Sequence, residues 1–211
     1  MFSMNFAVRL RGYKFSGRNI SLFVPDPDEV RASYEQALSA DPSTAFPYWS
    51  AIWPSAIGIC EFLSTRIELI KGKDVLELAA GLGLPSVFCA EWARSVHCSD
   101  HQPAAVELIS RSVVHNAISN VTCSLLDWNC LPADLSAEVL LMSDVNYSAA
   151  SMPQLKLVCE RFLRQGTLII LSTPVRIVAN GFMSEMEQWC REKQLIVTGQ
   201  GKQIHVFVMQ I

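Results

Sequence analysis

Four carboxylates stand at the ends of four successive apolar segments: Glu77 within VLEL, Asp100 after SVHCS, Asp127 after VTCSLL and Asp144 after VLLMS. A single Asp in such a place is ordinary, because Asp readily opens a turn. Four in register define a face on which polar chemistry can be done. Glu77 is followed by Ala79, Ala80, Gly81 and Gly83, whose small side chains let a ligand lie close to the backbone. Pro85 then opens a helix, and N–H groups at a helix start add a partial positive field. A carboxylate beside such a turn disfavours a phosphate and favours a cationic or hydroxyl-rich ligand. Asp100 follows Gly83 by 17 residues, Trp128 follows Asp127 directly, and Tyr147 closes the run D-V-N-Y that begins at Asp144.

Such groups need a scaffold that brings strand ends together. From Asp74 onward, short apolar runs (DVLEL, SVHCS, VTCSL, EVLLMS, TLIILS, LIVTG and IHVFVMQI) alternate with helical patterns. The helical patterns are PSVFCAEWA, AAVELISRSVVHN, SMPQLKLVCERFL and NGFMSEMEQWCREK. The first runs are almost continuously apolar, as strands covered on both faces are. Strand–helix alternation predicts an α/β protein with a mostly parallel, doubly wound sheet. Ligands of such sheets sit beyond the carboxyl ends of the strands, near the switch point. The ending differs: LIVTG and IHVFVMQI flank Gln200-Gly201-Lys202 and read as an antiparallel hairpin. Upstream, strands around Phe6–Leu10 and Ile20–Val24 flank a turn at Ser16–Gly17, and a helix reads EVRASYEQAL. The aromatic stretch FPYWSAIW then leads into a helix opened by Pro54.

With 211 residues, half of them hydrophobic, the chain can bury one substantial core. A net charge of −3 gives no electrostatic reason to expect nucleic acid as a partner. No apolar run is long enough to cross a bilayer, and the N-terminus lacks an apolar core followed by a small-residue cleavage site. A mature cytoplasmic protein with no membrane partner is expected. The seven cysteines are odd in number, with no C-x-x-C pair and no His at zinc-ligand spacing, so reduced buried thiols and no metal are expected.

PYWSAIWPSA, VLELAAGLGLP, SDHQP, LLDWN and SDVNY together resemble the class I (seven-β-strand) S-adenosylmethionine-dependent methyltransferases. The W-P-S-A and D-x-x-Y elements are more similar to their protein lysine methyltransferase group. The resemblance covers nearly the whole chain and implies a Rossmann-like sheet preceded by a small N-terminal β-hairpin/helix segment. It implies S-adenosyl-L-methionine as cofactor and a lysine side chain of a partner protein as methyl acceptor. Glu77, Ala79, Gly81 and Gly83 would face the cofactor's methionine portion, and Asp100 would accept both ribose hydroxyls. Asp127 would take the adenine amine with Trp128 beside the ring, and Trp53 would lie over the cofactor. Asp144 and Tyr147 would face the target nitrogen as catalytic residues. Residues 1–50 would form a substrate-side segment, not an independent domain, and 51–211 the methyltransferase domain. One departure stands out: the motif's usual first glycine is Ala79, and alanine disfavours a positive φ, which would weaken cofactor binding without abolishing it.

Other readings stay open. A small-molecule N-methyltransferase would use the same cofactor motifs, and Ala79 is the sole support for a cofactor-binding interaction protein without catalysis. A nucleobase amine is disfavoured, because such enzymes resemble N-P-P-Y where this chain has D-V-N-Y. A nicotinamide-dinucleotide protein is disfavoured by the missing G-x-G-x-x-G. Trp49 fits packing or cofactor contact, His101 and His115 read as surface or helix residues, and Met183, Met186 and Trp189 read as core. The sequence assigns no oligomeric state.

Overall fold

The computed structural model describes residues 6–146, 148–174 and 180–211, with Asn180 described by its backbone alone. Strands β3 (Asp74–Glu77), β4 (Ser95–Asp100), β5 (Val121–Leu125), β6 (Val139–Ser143) and β7 (Leu168–Pro174) alternate with helices α3 (Leu84–Cys89), α4 (Pro103–His115) and α5 (Met152–Arg164). Together with β8 (Cys190–Val197) and β9 (Gln203–Met209) they form a seven-stranded sheet in the order β5-β4-β3-β6-β7-β9-β8. β3 pairs in parallel with both β4 and β6, so the order reverses beside β3, and the crevice above that reversal is where ligands of such sheets bind. β9 pairs antiparallel with β7 and with β8. The predicted doubly wound sheet with a C-terminal antiparallel hairpin is therefore what forms. The hairpin folds back so that its last strand lies inside and β8 is the edge.

The near-continuous apolarity of the central strands follows from burial on both faces. Val75, Val139, Leu141 and Ile170 enter the core on one side, and Leu76, Leu140, Met142 and Leu171 the core on the other. Successive residues of a strand point to opposite faces, so each run feeds two layers. The first layer holds α3, α4 and α2 (Pro54–Ser64); the second holds α5 and α6 (Asn180–Met186). Each of α1 (Pro27–Ala40) to α5 carries a proline in its first two positions. There a missing N–H costs nothing, and the helix starts are fixed at the ends of the incoming loops.

β1 (Val8–Phe15) and β2 (Arg18–Pro25) form a separate antiparallel hairpin around Ser16–Gly17, with both strands longer than the sequence predicts. Phe15, Ile20, Leu22 and Val24 join the same core as α2 to α4. The outer edge of β2 is covered by α4: Ser112 Oγ accepts from Phe23 N at 3.0 Å, and Asn116 Oδ1 accepts from Ser21 N at 3.1 Å.

One element differs in kind. The pattern NGFMSEMEQWCREK predicts a helix to Lys193, but the α-helix ends at Met186 and a strand begins at Cys190. Local propensity over these residues is overridden by pairing with β9, which starts at Cys190↔Met209. Met183 and Met186 are buried in the second core as expected, and Trp189 packs against it. All seven cysteines are free thiols. Among the described residues, no helix is long and apolar enough to cross a membrane, and no group of three acidic, His or Cys side chains could hold a metal.

Candidate active site

A cavity of about 450 Å³ opens over the carboxyl ends of β3 to β6 and under the segment that precedes α2. The ends of β3 and β4 contribute Leu78 to Gly81 and Asp100 to Gln102. β5 and β6 contribute Leu126 to Asn129 and Ser143 to Val145. Of the predicted site residues, Trp53, Ala79, Gly81, Asp100, Asp127, Trp128 and Asp144 all line this one space. Tyr147, predicted as catalytic, lies outside the described residues.

The turn after β3 is tied down from below. Ser99 Oγ donates to the Glu77 carbonyl at 2.8 Å, Ala80 N to the Ser99 carbonyl at 2.9 Å, and Gly83 N to the Ala80 carbonyl at 2.9 Å. Gly81 N donates to Asp100 Oδ2 at 2.9 Å. The N–H groups of Ala80, Gly81 and Gly83 are thus spent within the protein. At these three positions the turn offers a ligand close backbone approach and no free N–H donor for a phosphate. Gly81 has φ +58°, and a Cβ there would stand 3.3 Å from the Trp49 carbonyl, so the closeness of the aromatic segment to this turn needs a glycine.

Two predicted residues of this motif sit elsewhere. Gly83 (φ +71°) does not line the cavity; a Cβ there would meet Cys98 Sγ at 3.0 Å and Ile109 at 3.1 Å, so it is a close-packing position between α3, β4 and α4. Glu77 is also absent from the lining and fully buried. Its Oε2 accepts from Ser86 N at 2.9 Å and from Ser86 Oγ at 2.5 Å, which satisfies the start of the short helix α3. The helix start expected to face a ligand is taken up by this carboxyl group.

Burial pushes the Glu77 carboxyl up to about 8, against the pull of the two Ser86 donors. Its Oε1 has no hydrogen-bond partner among the described residues. A carboxyl with a folded pKa above its unfolded value stabilises the fold fully below the ordinary 4.5 and loses that contribution as pH rises through about 8. Glu77→Gln is expected to remove this slope. Urea unfolding should show wild-type stability falling relative to the variant by a few kcal/mol between pH 5 and pH 8. Parallel pH profiles for the two proteins would refute it.

Ala79 takes φ +52°, the conformation that the sequence argument holds alanine to avoid. A left-handed non-glycine residue costs roughly 1–2 kcal/mol, partly offset by alanine's lower chain entropy when unfolded. Ala79→Gly should raise stability by about 1 kcal/mol. An unchanged or lowered thermal midpoint would show that the turn carries no such strain.

Asp100 is buried, and both its oxygens hold backbone donors: Gly81 N on Oδ2 and Gln102 N on Oδ1, each at 2.9 Å. Burial raises its pKa, while these two N–H groups pull it back. A carboxylate has about four lone-pair positions, so Asp100 keeps acceptor capacity for hydroxyls of a ligand. His101, read from sequence as a surface residue, is exposed at the rim with Nδ1 at 3.4 Å from Asp100 Oδ1. Asp127 caps the short turn Trp128–Cys130, Oδ1 accepting from Asn129 N at 2.9 Å and from its side chain at 2.8 Å. Trp128 is held by Gln154 Nε2, which donates to its carbonyl at 3.1 Å. Asp144 is 7% exposed with φ +56°, a region Asp enters more readily than most residues, and its N–H is fixed on the Ser172 carbonyl at 2.9 Å.

Trp49, which the sequence leaves between packing and cofactor contact, lines the cavity, and so do Phe46, Tyr48, Ile52 and Gln102, to which the sequence assigns no binding role. The density of rings in FPYWSAIW was the available signal. Trp49 and Trp53 share the wall, with Trp53 Nε1 donating to the Tyr48 carbonyl at 2.7 Å.

Comparison with known proteins decides the family. The lysine methyltransferase family model matches residues 35–189, nearly three quarters of the chain. The chain belongs to this family. It is 27% identical over 166 residues to "Protein N-lysine methyltransferase METTL21A" of Danio rerio, covering 75% of each chain. It is 27% identical over 146 residues to "Histone-arginine methyltransferase METTL23" of Xenopus laevis, covering 66% of this chain and 59% of that one. Among solved structures, a 16S rRNA N2 methyltransferase (RsmC) of T. thermophilus, in complex with AdoMet and guanosine, superposes with a TM-score of 0.65 at 14% identity. That match covers 96% of this chain and 50% of that one, and at such identity the likeness is one of fold. This lysine methyltransferase family member is an S-adenosylmethionine-dependent methyltransferase. Its own residues fit the cofactor: a glycine cradle with its N–H groups turned inward, a buried carboxylate with spare acceptors, and an aromatic-walled space in the usual size range for such ligands.

Proposed function

We propose that the enzyme methylates the side-chain nitrogen of lysine in a partner protein, with residues 1–50 as the acceptor-side segment of the 51–211 catalytic domain. The observation that carries this reading is the placement of Asp144 in the same cavity as Asp100, Asp127 and the Ala79–Gly81 turn. The bound cofactor supplies a methyl group on a sulfonium, already a good leaving group. The protein's task is then to place, orient and dehydrate an amine, work that can supply roughly 7–11 kcal/mol.

In this reading Asp100 accepts the ribose hydroxyls, Asp127 accepts from the adenine amine beside Trp128, and Trp53 covers the cofactor. Glu77 and Gly83 support the turn from behind, Glu77 by holding the start of α3 and Gly83 by close packing. A lysine arrives as an ammonium with an ordinary pKa of about 10.4 and must lose a proton, to the Asp144 carboxylate or to water, before transfer. The Asp144 carboxylate accepts a hydrogen bond from that nitrogen and points it at the methyl; Tyr147 of the D-x-x-Y run is assigned to the acceptor by the sequence resemblance alone. The relatives' names support a protein acceptor, and the net charge of −3 supports protein over nucleic acid. Free thiols throughout support a cytoplasmic location.

Incubating the full chain with tritiated S-adenosylmethionine and lysate of its host, resolved on a gel, tests the reading. A discrete labelled band whose mass spectrum places the methyl group on lysine supports it. A methyl on arginine, as the METTL23 relatives' name suggests for those proteins, or label confined to small molecules would overturn it.

A further inference from the structure

A ladder of aromatic rings leads outward from Trp53, a ring assigned to the cofactor. Tyr34 on α1 meets Phe46 with ring centroids 5.1 Å apart, Phe46 meets Tyr48 at 5.0 Å, and Tyr48 meets Trp53 at 6.0 Å. The first two contacts are edge-on, and all three lie in the range where ring quadrupoles attract. The Trp53 indole N–H donates to the Tyr48 carbonyl, so this part of the ladder is fixed to the backbone as well as to its neighbours. Phe46 and Tyr48 are 37% and 47% exposed, yet both line the cavity that Asp144 also lines.

Rigid rings presented to water at the rim of a site, with a carboxylate in the same cavity, form a receptor for one ligand chemistry. An alkyl stem packs on ring faces, a cation is drawn to their negative quadrupole, and the carboxylate adds charge. A neutral acceptor would gain only the stem packing, and an anionic one would be repelled by the carboxylate. We infer that Phe46 and Tyr48 are the acceptor-recognition residues of this enzyme, holding an alkylammonium side chain (lysine and its methylated products), with Tyr34 and Trp53 setting the ring orientations. This rests on the lysine reading above and names the residues that read the acceptor's charge.

The test uses the full chain saturated with S-adenosylhomocysteine. Nα-acetyl-Nε-trimethyllysine amide and its neutral isostere, with carbon in place of the quaternary nitrogen, are titrated and followed by tryptophan fluorescence. The cation should bind about 5-fold more tightly than the isostere. That preference should shrink in Phe46→Leu and in Tyr48→Leu, which keep apolar bulk without a ring but leave the other ring and the carboxylate in place, and persist in Tyr48→Phe. Affinity for S-adenosylhomocysteine should stay within about 2-fold in all three, as rings acting on the acceptor alone require. Equal affinity for cation and isostere, no binding of the cation, or an undiminished preference in both leucine variants would overturn the assignment. So would a parallel loss of S-adenosylhomocysteine binding. The two readings fail separately: label on small molecules in the lysate experiment sinks the protein acceptor but not the ring preference, whereas a labelled lysine without that preference sinks only the rings.

Discussion

Asp100→Ala is expected to lower affinity for S-adenosylmethionine by about 100-fold or more, read by calorimetric titration. A hydrogen bond to a charged group contributes roughly 1.5–3 kcal/mol, and two ribose hydroxyls on one carboxylate give about twice that. The geometry adds a second loss. Asp100 Oδ2 is also the acceptor for Gly81 N, so removing the carboxylate frees the cradle N–H as well as the hydroxyl acceptors. Asp100→Asn separates the two effects, since its amide oxygen can still accept from one backbone N–H. Its affinity should lie between those of wild type and the alanine variant. A folded Asp100→Ala protein that binds the cofactor within 5-fold of wild type, a change smaller than about 1 kcal/mol, would remove Asp100 from the cofactor site.

Asp144→Asn is the sharper probe of catalysis. Asparagine enters the left-handed region as readily as aspartate, so the φ of +56° and the Asp144 N–H bond to Ser172 survive the change. What is lost is the charge. Turnover should fall by about 1000-fold, in the middle of the range for a positioned acid–base group, while cofactor affinity stays within 2-fold. A turnover within tenfold of wild type would mean that Asp144 neither orients nor deprotonates the acceptor. A matching loss of cofactor binding would move Asp144 to the cofactor side of the cavity.

How legible the site was in the sequence varied with the kind of contact involved. Asp100, Asp127 and Asp144 were readable because each ends an apolar run, and strand ends of a doubly wound sheet converge whatever the loops do. Trp128 and Trp53 came with them as neighbours of motif residues. Glu77 and Gly83 belong to the same motif, yet chain position alone could not say which motif residues face the ligand and which face the core. The turn rotates between them: Gly81 ends beside Trp49, whereas Gly83 ends between Cys98 and Ile109. The rings of Phe46 and Tyr48 were visible only as an aromatic stretch. Their place at the cavity mouth depends on the segment before α2 folding over the ends of β3 and β6.

By itself the sequence determined the sheet class, the closing hairpin and the row of strand-end carboxylates. Short continuous apolar runs, helical apolar patterns and turn residues are local signals that survive in one dimension. The tertiary structure alone decided the strand order β5-β4-β3-β6-β7-β9-β8, the strand at Cys190 where helical residues were expected, and the positive φ at Ala79. Each of these is set by partners far along the chain. β9 captures Cys190 through Met209, and the bond from Ala80 N to the Ser99 carbonyl fixes the turn beside Ala79. Local preferences span only about 1 kcal/mol per residue, so long-range pairing can override them, and no single-sequence pattern records which pairing will win.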